Sequence, residues 1–154
     1  MERELWREKM LENGIWTGPI MDQHIHLDRS NRFLSAIEEF SQSGGTAIML
    51  VHKPGFSGQL PLDLDGYRDA YSQTVSMAEV VRKKTGIEVG VTLGPHPVVW
   101  DLQANQMGVK KSTELHIEAV GLALDMIESG TASCLGEVGR PHYQVDNERW
   151  GHAN

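Results

Sequence analysis

Seven histidines in 154 residues are a high supply of imidazole, the side chain that both shuttles protons and binds metals most often. Two of them fall in Asp22-Gln23-His24-Ile25-His26-Leu27-Asp28. Side chains two apart on a strand share a face, so Asp22, His24 and His26 are expected to point together and Gln23, Ile25 and Leu27 away. Two imidazoles converging at a strand end make half of a metal site, which a nearby carboxylate can complete or orient. Two hydrogen-bonded surface histidines are the plainer outcome of the same spacing. Further polar groups follow other apolar runs: His52 and Lys53, then His96, then Glu137 with Arg140 and His142 beyond it. A glutamate set between neighbouring strands is costly to ionise without a cation, and a metal supplies one.

The elements that must position these residues alternate. Arg3 to Leu11 reads as an amphipathic lead-in helix ended by Glu12-Asn13-Gly14. Strands are predicted over 19–26, 46–51, 87–93 and 132–138, and helices over 31–43, 67–84 and 112–129, from apolar runs and helical spacing. Segments 53–65 and 98–111 read as loops, and 140–154 as a polar tail. Strand-helix units in series imply a parallel sheet with helical crossovers. An eight-stranded (β/α)8 barrel needs about 250 residues, so four units over 15–139 amount to the first half of a TIM-type barrel. A compact doubly wound four-stranded sheet is the alternative. Both place chemistry at the C-terminal strand ends, where the polar residues fall.

The remaining candidates read as structural. His116 sits mid-helix between Glu114 and Glu118 and is expected at the surface; His152 lies near the end of the sequence. Tyr67 and Tyr71 are core by helical spacing, Trp6, Trp16 and Trp150 are packing residues, and Trp100 anchors a loop or lines a pocket. Cys134, inside an apolar strand, is expected to be a buried, inert thiol.

Composition narrows the classes. Hydrophobic residues make up 40% of the chain and Gly and Pro number 16 and 6, which excludes collagen-like and disordered readings. A single cysteine excludes an internal disulfide framework and fits a reducing, cytoplasmic setting. No apolar run approaches the roughly 20 residues of a membrane span, and the charged start lacks a signal peptide's apolar region. Acidic residues outnumber basic ones 21 to 14, a net charge of −7, so affinity built on neutralising many phosphates is not expected. There is no phosphate-cradling glycine loop, zinc-finger cysteine pattern or serine nucleophile elbow.

Three motifs together, His24-Ile25-His26 after a strand, Gly94-Pro95-His96-Pro97, and Gly136-Glu137-Val138-Gly139, resemble the TatD family of the amidohydrolase superfamily, most closely its archaeal TatD-related branch. The resemblance covers essentially the whole chain but only the N-terminal half of a family member. It implies a (β/α)8 barrel with one or two divalent ions (Zn2+, Mn2+ or Mg2+) at its mouth. It also implies hydrolysis of a phosphoester or amide by a metal-activated water. Carried over, His24 and His26 become metal ligands, Glu137 a catalytic carboxylate bridging two metals, and His96 a residue facing an anionic substrate. The family's other ligands, two histidines and an aspartate on later strands, would lie beyond Asn154, so the isolated chain is expected to be inactive. Where the family commonly continues Gly-Glu-x-Gly with Leu-Asp, this chain has Arg140-Pro141; Arg140, with His142, is then expected to hold an anionic substrate.

Two other readings stand beside the hydrolase. One is a non-catalytic half-barrel that assembles with itself or a complementing chain through unpaired strand edges. The other is a small complete α/β binding protein with incidental histidines. Nucleic acid is the less expected partner at this net charge.

Overall fold

The computed structural model describes residues 10–53 and 60–139. Residues 3–9 of the expected lead-in helix lie outside them, as do Trp6, Arg140, His142, Trp150 and His152. The part of that helix that is described is something else. Strands β1 (Leu11–Glu12) and β2 (Ile15–Trp16) pair antiparallel around Asn13 and Gly14, both at positive φ (52° and 80°). Asn-Gly is the favoured pair for a two-residue hairpin turn, because both central residues must adopt left-handed backbone angles. The Asn-Gly that reads as a helix stop is therefore a hairpin turn.

The main sheet contains β3 (Met21–Ile25), β4 (Ala47–Val51), β5 (Glu88–Leu93) and β6 (Cys134–Leu135), in that order and all parallel. The fourth strand is shorter than the 132–138 expected. Helices α1 (Phe33–Gln42), α2 (Leu64–Thr85), α3 (Pro97–Met107) and α4 (Val109–Glu128) fill the crossovers. Helix α2 begins three residues before the apolar spacing suggests, because Asp63 caps it by accepting the Gly66 N–H at 2.8 Å. It ends at Gly86, whose φ of 72° suits a residue without a Cβ.

Helix α3 overturns the loop expected over 98–111. His96 caps it, Pro97 occupies its first turn, and Trp100, Gln103 and Ala104 are buried. Pro at the first helical position sacrifices an N–H that lacks an intrahelical partner anyway. Trp100 Nε1 donates to Thr113 Oγ1 at 3.0 Å and Ser112 Oγ to the Trp100 carbonyl at 2.8 Å, fastening α3 to α4. Trp100 is thus a buried anchor between two helices.

Strand order decides between the two sheets that the sequence allows. A doubly wound sheet reverses direction at a switch point, whereas the first four strands of a barrel run consecutively. The observed order is consecutive: this is an α/β fold with a four-stranded parallel sheet alternating with helices, as in part of a TIM-type barrel. Alternate side chains confirm two distinct faces. Ile48, Leu50, Val89, Val91 and Leu93 are buried in one core with Tyr67, Tyr71, Ala78, Val81, Leu115 and Ala119 of the helices. Met21, Met49, Val51, Thr92 and Cys134 line a cavity of about 340 Å3 on the other face, with no helix residue among its lining. Cys134 is therefore half-buried at a cavity wall, its Sγ 3.3 Å from Thr92 Oγ1, rather than enclosed in the core. No helix among the described residues is long and apolar enough to cross a membrane.

Candidate metal centre

The polar groups at the strand ends meet at the rim of that cavity. His24 and His26 Nε2 lie 3.2 Å apart. They stand 3.4 and 3.8 Å from the two carboxylate oxygens of Glu137. One ligand atom from each of the three residues falls within 4.8 Å of the others. His96 adds a fourth group, its Nε2 3.9 Å from Glu137 Oε1. Arg140 and His142 lie outside the described residues.

Convergence of the histidine pair does not come from simple alternation. The β3–β4 register shifts between Asp22 and Ile25, and neighbours Gln23 and His24 both line the cavity. Asp22 holds this irregularity by accepting the His24 backbone N–H at 2.9 Å. It serves the backbone; the carboxylate beside the histidines is Glu137. His26, beyond the end of β3, donates from Nδ1 to the Val51 carbonyl at 3.1 Å. A donating Nδ1 leaves the lone pair of a neutral ring on Nε2, the atom that faces Glu137.

His96 has the opposite tautomer. Its Nδ1 accepts the Val98 backbone N–H at 3.1 Å as the cap of α3, so the proton of the neutral ring sits on Nε2. That N–H offers a hydrogen bond toward the carboxylate side of the site and has no lone pair for a cation. The backbone thus engages opposite ring nitrogens of His26 and His96.

Glu137 is held in an unusual way. Its φ is 54°, a left-handed conformation that costs a non-glycine residue of order 1 kcal/mol or more and clusters at functional sites. Its side chain is 19% exposed, and Oε2 is buried with no hydrogen-bond partner. The lone pair on His26 Nε2 and the unpartnered carboxylate oxygen lie close together, with His24 Nε2 beside both, so a proton or a cation between these groups relieves their repulsion. Two imidazoles and a carboxylate are a standard donor set for Zn2+ and related ions. The residues fit a divalent cation.

Two glycines make this approach possible. A Cβ on Gly94 would collide with the Gly136 carbonyl oxygen, and one on Gly136 with Thr92 Cγ2. The Gly136 N–H donates to the Leu93 carbonyl at 3.0 Å, so the backbone that carries Glu137 lies directly on the end of β5. Gly94→Ala is expected to push this backbone away, lowering stability by about 1–3 kcal/mol, as overpacking does, and weakening metal uptake at least tenfold. Denaturation and metal titration of the variant check both.

Around the centre, the Lys53–Asp28 ion pair ties the end of β4 to the turn after β3. Asp28 Oδ1 also accepts the backbone N–H of Ser30 at 2.9 Å and its hydroxyl. Lys53 and the Ser30 donors hold the Asp28 carboxyl well below the usual range. Burial, and then nearby His26, push His52 down to about 4. His116, expected at the surface, is half-buried with an unpartnered Nδ1; burial, and then His96, push it to about 4. Its helical neighbours Glu114 and Glu118 disguise an inward-facing ring. In the unfolded chain both histidines titrate near 6.5, so below that pH the unfolded state binds more protons and the fold loses stability. The loss accumulates between pH 6.5 and about 4, at a slope on the order of 1 kcal/mol per pH unit for each group in the middle of that window. Melting in a chelator should show this acid slope, and His116→Gln should reduce it by about half.

A four-stranded parallel sheet alternating with helices, with two histidines and a glutamate near its C-terminal strand ends, defines the class by fold: an α/β arrangement consistent with part of a TIM-type barrel. The comparisons narrow it. The sequence model of the family described as TatD related DNase matches residues 21–154, and the chain belongs to that family. It is also 27% identical over 139 residues to a protein of Methanocaldococcus jannaschii named "Uncharacterized protein MJ1127", an alignment covering 88% of this chain and 47% of that protein. The chain therefore spans about half the length of this curated relative. No solved structure gives a significant match.

Proposed function

We propose that this chain supplies the N-terminal half of a hydrolytic centre that cleaves phosphoesters, with His24, His26 and Glu137 holding a divalent cation. The observation that carries the reading is the buried, unpartnered Glu137 Oε2 beside two imidazole nitrogens. A bound divalent ion at this point supplies a Lewis acid that polarises the scissile group and activates water. The protein's own part is positioning. The Val51 carbonyl turns His26 inward, the left-handed backbone at Glu137 aims its carboxylate, and His96 presents an N–H to an anionic oxygen. Arg140 and His142, immediately beyond, complete the substrate side of this reading. A family described as DNases favours a phosphodiester; with a net charge of −7, contact with a nucleic acid would depend on the cation and these local donors. A phosphodiesterase working in the reducing cytoplasm accounts for the single cysteine.

The test uses inorganic phosphate as the substrate fragment. Mn2+ titration should give uptake that phosphate tightens about tenfold. His96→Phe should remove the phosphate effect while leaving Mn2+ affinity within twofold. Absence of any Mn2+, Zn2+ or Mg2+ uptake, or phosphate indifference in the wild type, contradicts the proposal.

A second reading rests on the open sheet. Among the described residues β3 and β6 are its two outer strands, each without a partner on its far side, and the cavity face carries Met21, Met49 and Val51, which favours a half-barrel that assembles with a complementing chain. Gel filtration separates the two: a monodisperse monomer speaks against assembly.

A further inference from the structure

The ring of His26 is aimed by a backbone carbonyl, and that carbonyl is itself held from behind. Val51 O accepts the His26 Nδ1 proton, while the next residue's N–H, that of His52, donates to the Thr92 carbonyl at 2.9 Å. The 51–52 peptide is thus shared between the metal centre and β5. The His52 side chain runs the other way, into the helix layer. Its Nδ1 lies 2.8 Å from Oγ1 of Thr74 on α2, a residue only 2% exposed. Its ring meets Tyr71 edge to face at a centroid distance of 5.0 Å. Tyr71 is fully buried, and its hydroxyl donates to the Ala119 carbonyl of α4 at 3.3 Å.

We propose that His52 is a positioning residue: pinned by Thr74 and Tyr71, it fixes the Val51–His52 peptide so that the Val51 carbonyl selects the Nδ1–H tautomer of His26 and turns Nε2 to the cation. The inference rests on the metal reading above for its consequence, but not for its geometry. Ligating histidines commonly donate their second nitrogen to a carbonyl or carboxylate, and loss of such outer partners typically costs ten- to a hundredfold in metal affinity. Here the outer partner is a main-chain group, which mutation cannot delete, so control passes to the side chain that anchors it. His52 lies two residues past Leu50, so strand alternation carries its ring to the core side with Ile48 and Leu50.

The test reads the His26 tautomer by 13C and 15N NMR of metal-free protein, and separately the Co2+ affinity and visible d–d spectrum. His52→Asn keeps a hydrogen-bonding group at the Nδ1 position, whereas His52→Leu and Thr74→Val remove the bond with little change of shape. Wild type and His52→Asn should show a single Nδ1–H tautomer at His26. His52→Leu and Thr74→Val should show mixed tautomers, Co2+ affinity lowered ten- to a hundredfold, and an altered spectrum. A single Nδ1–H tautomer and Co2+ affinity within twofold of wild type in the folded variants overturn the proposal. Thr74→Val decides alone if His52→Leu does not fold. A wild type with the Nδ1–H tautomer but no Co2+ uptake would refute the metal reading, and the tautomers of the variants would still judge His52.

Discussion

Replacing His24 and His26 together with alanine should lower Mn2+ or Zn2+ affinity at least a hundredfold while leaving the fold intact. The magnitude follows from removing two of three ligands, so that Glu137 alone holds the ion no better than a surface carboxylate. The mild structural effect follows from exposure: His24 and His26 side chains are 56% and 34% exposed, and neither belongs to the buried core. Losing the His26–Val51 bond costs about 1 kcal/mol, a few degrees of melting temperature for a chain of this size. Isothermal titration and thermal melting of the double variant measure the two effects separately. Uptake equal to wild type would show that any bound ion sits elsewhere.

Glu137→Gly should act in opposite directions on stability and binding. The substitution removes a non-glycine residue at φ 54° and a buried oxygen without a hydrogen bond, so metal-free protein should gain about 1–2 kcal/mol. The same change deletes the anionic ligand and should lower divalent-ion affinity at least a hundredfold. Glu137→Gln separates the causes: it keeps the strained backbone, removes the charge, and should lose the affinity with a smaller stability gain. Denaturant unfolding in a chelator and metal titration of both variants read these effects. A residue selected for packing would show the reverse, with the glycine variant less stable and metal uptake unmoved.

The parts of the fold written in strong local signals were legible in the sequence. Continuous apolar runs marked β4 and β5 to within a residue, and helical spacing marked α1, α2 and α4. Helix α3 was hidden because Val98, Val99, Trp100, Leu102 and Ala104 give no clean one-sided stripe, and histidine is an uncommon cap. The lead-in hairpin was hidden because Asn-Gly ends helices as readily as it turns strands. At the site, His24, His26, His96 and Glu137 stood out by type and position, and the fold brings all four together. The reasons they meet were not legible. A register shift at Asp22, a left-handed Glu137 and the contact of Gly94 with the Gly136 carbonyl are three-dimensional facts with no local sequence signature. His116 illustrates the converse, since flanking glutamates suggested solvent and the helix turned the ring inward.

Anomalous diffraction from crystals grown with Zn2+ tests the central claim most directly. An anomalous peak is expected about 2.0–2.2 Å from Nε2 of His24, Nε2 of His26 and a Glu137 oxygen, with His96 turned to the open side. Full occupancy at some other set of side chains, with these three groups bonded only to one another through a shared proton, would contradict it.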